Sequence, residues 1–207
     1  MRVLIYGFGP YRQFHENVTE KIVRSLPKRR GLEKIVFAVR FYKRQFTGAV
    51  EKFRPDVVLG LGQCSSGRVL RMETGAANRR RDSMDQKPRP IVRGGPPKLF
   101  TNLNLNLARQ ARVSNDAGDY VCNYSMYVML DYIKRRKLPV IYGFVHVPCR
   151  YDPKKVLRLL RQTLLSSRFN VQDSTPERRS RRSSGSKRQA PRPVRGAEPH
   201  FKAGAKL

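Results

Sequence analysis

Short apolar runs alternate along this chain with segments whose apolar residues recur at helical spacing, and that alternation admits few folds. Asp56 to Leu61 is apolar on both faces beyond its first residue, as a strand must be when helices cover both sides of its sheet. Arg2 to Phe8, Glu33 to Val39 and Pro139 to Val147 read as further strands, and Arg68 to Ala76 as extended. Between them, Asn17-Val18-Thr19-Glu20 has the form of a capping box and opens a helix to about Leu26, just before Pro27. Lys43 to Phe53 carries a second helix, and Tyr120 to Arg136 the strongest, with Val121, Tyr124, Val128 and Tyr132 on one face and basic residues near its C-terminus, where the helix dipole favours them. Asp152-Pro153 caps and starts a last helix that runs to about Leu165. Thr101 to Arg112 is expected as a weaker helix with Leu103, Leu107 and Ala111 on one side. Asn78 to Pro97, dominated by charge, Pro and Gly, reads as a long loop of the kind that often lies near a functional site. Strands interleaved with helices give an α/β class, a three-layer domain with its active groups at strand ends and helix starts.

Three of those ends carry chemistry. Ser114-Asn115-Asp116-Ala117-Gly118-Asp119-Tyr120-Val121-Cys122-Asn123 is a Gly-containing turn that places Cys122 in the first turn of a helix. Gly143-Phe144-Val145-His146-Val147-Pro148 ends an apolar strand with an imidazole. A thiol attacks as thiolate, and a helix N-terminus and a nearby imidazolium both favour that form. Glu73, in Arg71-Met72-Glu73-Thr74-Gly75, supplies a carboxylate that can hold the imidazole in one tautomer, completing nucleophile, base and orienter.

Glu, Cys and His in that order, in these surroundings, resemble the pyroglutamyl-peptidase I family of cysteine peptidases, which remove an N-terminal pyroglutamate. Val3 to Tyr11 is similar to the family's opening strand and Gly-Phe-x-Pro-Phe loop, and Arg54 to Gln63 to its Pro-Asp strand ending in Gly-Gln. Ala117-Gly118-x-x-Val121-Cys122-Asn123 and Gly143 to Pro148 are the most specific matches, 24 residues separating Cys122 from His146. The resemblance runs from Met1 to about Ser167. It implies an α/β/α sandwich of the phosphorylase/hydrolase-like type with a mixed central sheet, catalysis by Glu73, Cys122 and His146, and no metal or organic cofactor. In that reading Phe8 and Tyr11 wall a pocket for a flat lactam, Gln63 hydrogen-bonds it, and Val121 and Met126 complete the wall. The expected partners are peptides with an N-terminal pyroglutamate, and a homo-oligomer is compatible with the family. The chain departs from the family pattern in the first loop, where Tyr11-Arg12-Gln13 replaces Phe-Gly-Gly, and after the Glu73 segment, where Arg79 to Asp85 replaces Ala-Arg-Ile-Pro-Asp-Asn. Between Thr101 and Ser114 it is shortened. These changes touch substrate recognition and subunit contacts more than the triad.

Charge supports a rival. The 207 residues carry 44 Lys and Arg against 15 Asp and Glu, a net +29. Residues 168–207 hold net +8 of this in a Ser-, Arg-, Pro- and Gly-rich stretch without apolar periodicity, read as a basic disordered tail beyond a catalytic domain over 1–167. Lys28-Arg29-Arg30, Arg79-Arg80-Arg81 and Lys134-Arg135-Arg136-Lys137 would draw polyanions without reading sequence. A catalytically silent relative that binds RNA or another polyanion is therefore the alternative to the enzyme. Gly7-Phe8-Gly9 and Gly60-Leu61-Gly62 complete no dinucleotide fingerprint, and no Walker lysine follows them. Cys64, Cys122 and Cys149 form no CxxC pair, so neither a disulfide framework nor a zinc site is indicated. With no run of membrane-spanning length and a strand pattern at the start, a cytoplasmic location is expected.

Overall fold

The structure, a computed structural model, describes residues 1–165, apart from 12, 84, 106, 108 and 109, together with 170–171. The expectation of a disordered tail over 168–207 therefore lies outside the described residues, except for Asn170 and Val171. So does Arg12 of the first loop.

Six strands form the central sheet: β1 (Val3–Phe8), β2 (Leu32–Phe37), β3 (Val57–Cys64), β4 (Leu70–Glu73), β8 (Ala111–Ser114) and β9 (Ile141–Pro148). Their order is β2-β1-β3-β9-β4-β8. The first four in that order are mutually parallel, β4 runs antiparallel to β9, and β8 is parallel to β4, so the sheet is mixed as expected. The helices are α1 (Val18–Ser25), α2 (Lys43–Phe53), α3 (Val121–Arg135) and α4 (Pro153–Leu165). Short strands β5 (Gly75–Ala77) and β6 (Lys98–Phe100) pair antiparallel beside the sheet, and β7 (Leu103–Asn104) pairs with β10 (Asn170–Val171).

Two-residue periodicity sorts each strand into two cores. Val3 and Ile5 of β1, Val57, Leu59 and Leu61 of β3, and Val145 and Val147 of β9 pack with Ile22 of α1 and Val156 and Leu160 of α4. Leu4, Tyr6 and Phe8, Val58, and Tyr142 and Phe144 face the other way, onto Phe46 of α2 and Tyr124 and Val128 of α3. Full burial of a side chain such as Ile22 contributes roughly 2 kcal/mol. This is the three-layer α/β/α arrangement, and the strand parity decides which side chains can share a site. His146, Gly62 and Gly60 have the parity of the α2/α3 side.

Local signals account for the helix starts. Asn17 caps α1 through its Oδ1, which accepts from Thr19 N at 3.0 Å. Glu20 turns to Arg24, one helical turn on, at 2.8 Å. Helix α3 is buried on nearly all sides because the sheet, α2 and the β5/β6 pair all pack on it.

Among the described residues of Thr101 to Arg112 the expected helix is absent: Leu103 and Asn104 form β7, Leu107 N–H turns back to the Leu105 carbonyl at 2.8 Å, and β8 begins at Ala111. Leu103, Leu105 and Leu107 are all buried. Leu103 packs where Gly143 leaves room, since a Cβ at Gly143 would come within 2.7 Å of it. The loop over Asn78 to Pro97 is present and internally tied. The Asn78 side chain accepts from the Ile91 and Val92 N–H groups and donates to Val92 and Gly95 carbonyls. Asp82 pairs with both Arg80 and Arg89.

Candidate active site

Strand β9 carries His146 into the sheet centre with Gly62 of β3 on one flank and Arg71 of β4 on the other, all three in register. Because β4 alternates, Arg71 and Glu73 share a face, and Glu73 comes to His146: its Oε1 lies 2.7 Å from Nδ1. Glu73 is completely buried and His146 nearly so. With Nδ1–H donating to the carboxylate, Nε2 is left as the basic nitrogen.

Cys122 enters from above the sheet in the first turn of α3. A Cβ on Gly62 would lie 2.8 Å from its sulfur. Glycine at 62 is thus what lets the thiol settle against β3, beside the strand that bears His146. Four buried side chains, Ser125, Tyr6, Tyr142 and Asn123, fix the helix there. Ser125 Oγ donates to the Cys122 carbonyl at 2.8 Å, and it contacts the Tyr6 hydroxyl at 3.2 Å, which in turn meets that of Tyr142 at 2.6 Å. Asn123, fully buried, accepts from Ala77 N and donates to the carbonyls of Ala77 and Arg79, tying α3 to the segment just after Glu73. Gly118, at φ +83°, makes the turn that leads into the helix, and Tyr120 at the N-cap makes no side-chain capping bond. The N-cap side chain therefore takes up none of the first-turn N–H groups of α3.

Cys122 and His146 line one cavity of about 290 Å³. Phe8, Tyr11, Gln63 and Val121 line it too, so four of the five substrate-binding expectations meet the two reactive groups. Met126 does not. It sits one helical turn beyond Cys122 but is fully buried in the core, away from the cavity, because α3 has no solvent-facing side at that point. Phe8 stands edge-on to Tyr6 and Phe46, and Tyr11 packs near Phe14 and Tyr120. Gln63 Oε1 accepts from Val18 N at 2.7 Å, while its buried Nε2 has no hydrogen-bond partner among the described residues. That leaves an N–H donor available to a ligand carbonyl.

Burial pushes the Cys122 thiol up to about 12, with Cys64 and Glu73 adding to the rise and Arg71 opposing it. Cys64 is raised as well, chiefly by burial.

Sequence reading missed Arg71, which lines the cavity and stands 3.7 Å from Glu73 Oε1. Its signal was present, two residues before Glu73 in an extended segment. Arg81, from the Arg79-Arg80-Arg81 cluster, also reaches the cavity and bonds Asp119 at 2.7 Å. Arg79 holds Asp116 with two 2.8 Å contacts. Although burial works against it, the Gly118 N–H and Arg79 keep the Asp116 carboxyl below its usual range. Among the described residues no group of His, Cys, Asp and Glu is set to hold a metal ion, and no helix is long and apolar enough to cross a membrane.

A family model described as pyroglutamyl peptidase matches residues 1–163. Pyrrolidone-carboxylate peptidase 1 of Caldanaerobacter subterraneus subsp. tengcongensis is 33% identical over 177 residues, covering 76% of this chain and 86% of that protein. The pyrrolidone-carboxylate peptidase of Pyrococcus furiosus is 30% identical over 177 residues, covering 76% and 84%. Among solved structures, a mutant pyrrolidone carboxyl peptidase from P. furiosus aligns with a TM-score of 0.65 at 27% identity, over 78% of this chain and 86% of that one. The pyroglutamyl peptidase I of Bacillus amyloliquefaciens aligns at 0.68 over 80% and 93%, with 21% identity, a likeness of fold.

Proposed function

The chain belongs to the pyroglutamyl peptidase family, and on that premise we propose that it is a cysteine peptidase releasing N-terminal pyroglutamate with Cys122, His146 and Glu73 as its working groups. The observation that carries the assignment of roles is the buried 2.7 Å contact between His146 and Glu73 beside a cavity that Cys122 shares. His146 Nε2 takes the thiol proton as the sulfur attacks the carbonyl. Glu73 steadies the imidazolium so formed. Charge developing on the carbonyl oxygen meets the first-turn N–H groups of α3. His146 then returns the proton to the leaving amine, and water releases the acyl group from sulfur.

The lactam ring suits the other half of the cavity. Phe8 and Tyr11 offer flat apolar walls, and the Gln63 Nε2 donor matches the ring carbonyl. A cavity of about 290 Å³ has room for a five-membered ring. The three free cysteines fit a reducing, cytoplasmic setting. The reading assigns catalysis to residues 1–167 and none to 168–207. The charge of +29 supports non-specific association with polyanions as an accompanying property, through exposed runs such as Lys134 to Lys137.

The test is release of a fluorogenic amine from a pyroglutamyl conjugate, with prolyl and glutamyl conjugates as controls. Cleavage confined to the pyroglutamyl conjugate, and abolished by Cys122→Ala, is expected. Turnover retained by the Cys122→Ala protein would remove the thiol from its role.

A further inference from the structure

Arg71 has no task in the chemistry above, yet it is placed where a substrate must pass. Among the described residues its buried Nε has no hydrogen-bond partner, and its one ion-pair contact, Glu73 at 3.7 Å, is longer than a hydrogen bond. Glu73 gives its short contact to His146 instead. The second guanidinium of the cavity, Arg81, is by contrast engaged by Asp119 at 2.7 Å. A pyroglutamyl ring is a neutral amide. The donor of Gln63 suits its carbonyl, and it carries no negative charge to pair with a guanidinium.

Register says which part of the substrate meets Arg71. Across the sheet the row runs Gly62, His146, Arg71, with the Cys122 sulfur over Gly62. The acyl half stays on the sulfur, toward Gln63. The departing amine must face His146, which protonates it. Arg71 lies one strand further, about 4.8 Å on. A residue's own carboxylate lies about 3.4 Å beyond its nitrogen in extended form, within the span of an arginine side chain rooted there. A guanidinium is the natural partner of a carboxylate.

We infer that Arg71 binds a carboxylate on the departing residue, so that pyroglutamyl dipeptides with a free C-terminus are favoured over amidated or longer peptides. This rests on the peptidase reading above and specifies its substrate class. An acidic side chain on the departing residue offers the same chemistry from a second source.

The experiment compares kcat/KM for pyroglutamyl-alanine, its C-terminal amide and the α-amide of pyroglutamyl-glutamic acid, whose side-chain carboxylate is free, using the full chain and its Arg71→Gln and Arg71→Lys variants. The intact protein is expected to prefer the dipeptide acid over the amide by roughly tenfold or more, as a charge-assisted hydrogen bond allows, and this preference should shrink with added salt. Arg71→Gln should bring the acid-to-amide ratio toward one through KM, and Arg71→Lys should keep part of it. A glutamyl side chain that rescues the amide identifies the second source, and one that fails to do so assigns the α-carboxylate. Equal use of acid and amide by the intact protein overturns the proposal, and so does a ratio unchanged in Arg71→Gln. A loss in Arg71→Gln that strikes acid and amide alike would make Arg71 a support for Glu73 and overturn it too. If Arg71→Gln does not fold, the salt-sensitive ratio of the intact protein decides. Absence of turnover with every conjugate would sink the peptidase reading, and calorimetric titration with pyroglutamyl-alanine and its amide then decides separately: tighter binding of the acid sustains the carboxylate site, and equal or no binding ends it.

Discussion

Replacing Gly62 by Ala tests the placement of the sulfur directly. The new Cβ would lie 2.8 Å from Cys122 Sγ, 2.7 Å from Phe144 Cζ and 2.9 Å from its Cε1, where ordinary contacts begin at 3.4 Å. The strand cannot yield, because β3 is bonded to β1 on one side and β9 on the other. Phe144 is fully buried and hemmed in, whereas the sulfur has the cavity on its far side. The sulfur is therefore the group that moves, by about 0.6 Å or more, a displacement that costs roughly 10- to 100-fold in rate where geometry governs attack. Residual overpacking against Phe144 costs about 1–3 kcal/mol, equivalent to about 2–4 °C in Tm for each kcal/mol in a chain of this size. Gly60→Ala is the companion measurement. The three atoms nearest its Cβ belong to Phe144 and Tyr6, at 2.4 and 2.5 Å, so it should cost more stability and less rate for each kcal/mol lost. Steady-state hydrolysis of a pyroglutamyl fluorogenic amide and thermal melts supply both numbers. A folded Gly62→Ala protein with kcat/KM within twofold of the parent would refute the proposed seat of the thiol.

Two further outcomes follow from buried charge. Glu73→Gln keeps the shape but removes the charge that steadies the imidazolium, so kcat should fall by roughly 10²- to 10⁴-fold. Because the carboxylate is fully buried with Oε2 unpartnered, Tm should hold or rise; an undiminished kcat, or a melt as depressed as that of a cavity mutant, would contradict this. Burial raises the Cys122 thiol to about 12 and the Tyr6 and Tyr142 phenols above their ordinary values. A group whose folded value exceeds its unfolded one stabilises the fold below the unfolded value, and that contribution drains away as pH climbs toward the folded value. Stability should therefore decline from about pH 9 upward, with a shallower decline in Cys122→Ala; melts recorded from pH 7 to 11 that stay level would count against the burial argument.

The elements were legible where a single period dominated. The doubly apolar run at Asp56 to Leu61 announced a central strand, and Asn17 announced the start of α1, since both signals are local. Asn102 to Leu107 shows the limit. Leu103 and Leu107 fit a helix four residues apart, and only the strand pairing of Leu103 and Asn104 and the turn from Leu105 to Leu107 reveal otherwise. Met126 fails for a related reason, because helical spacing places it one turn from Cys122 but does not say where the cavity ends. Arg71 was legible in principle from its two-residue offset to Glu73, but nothing local separates a cation in a pocket from one on a solvated face.

By itself the order of residues determined the layered α/β class and the chemical types available for catalysis, because periodicity and short turn motifs depend only on near neighbours. Tertiary structure alone decided that a carboxylate 73 residues away in sequence would meet the imidazole, and that Gly62 would vacate the space the sulfur fills. It also decided the direction in which burial shifts the thiol. Desolvation depends on everything packed around a group, and no stretch of neighbouring residues encodes it.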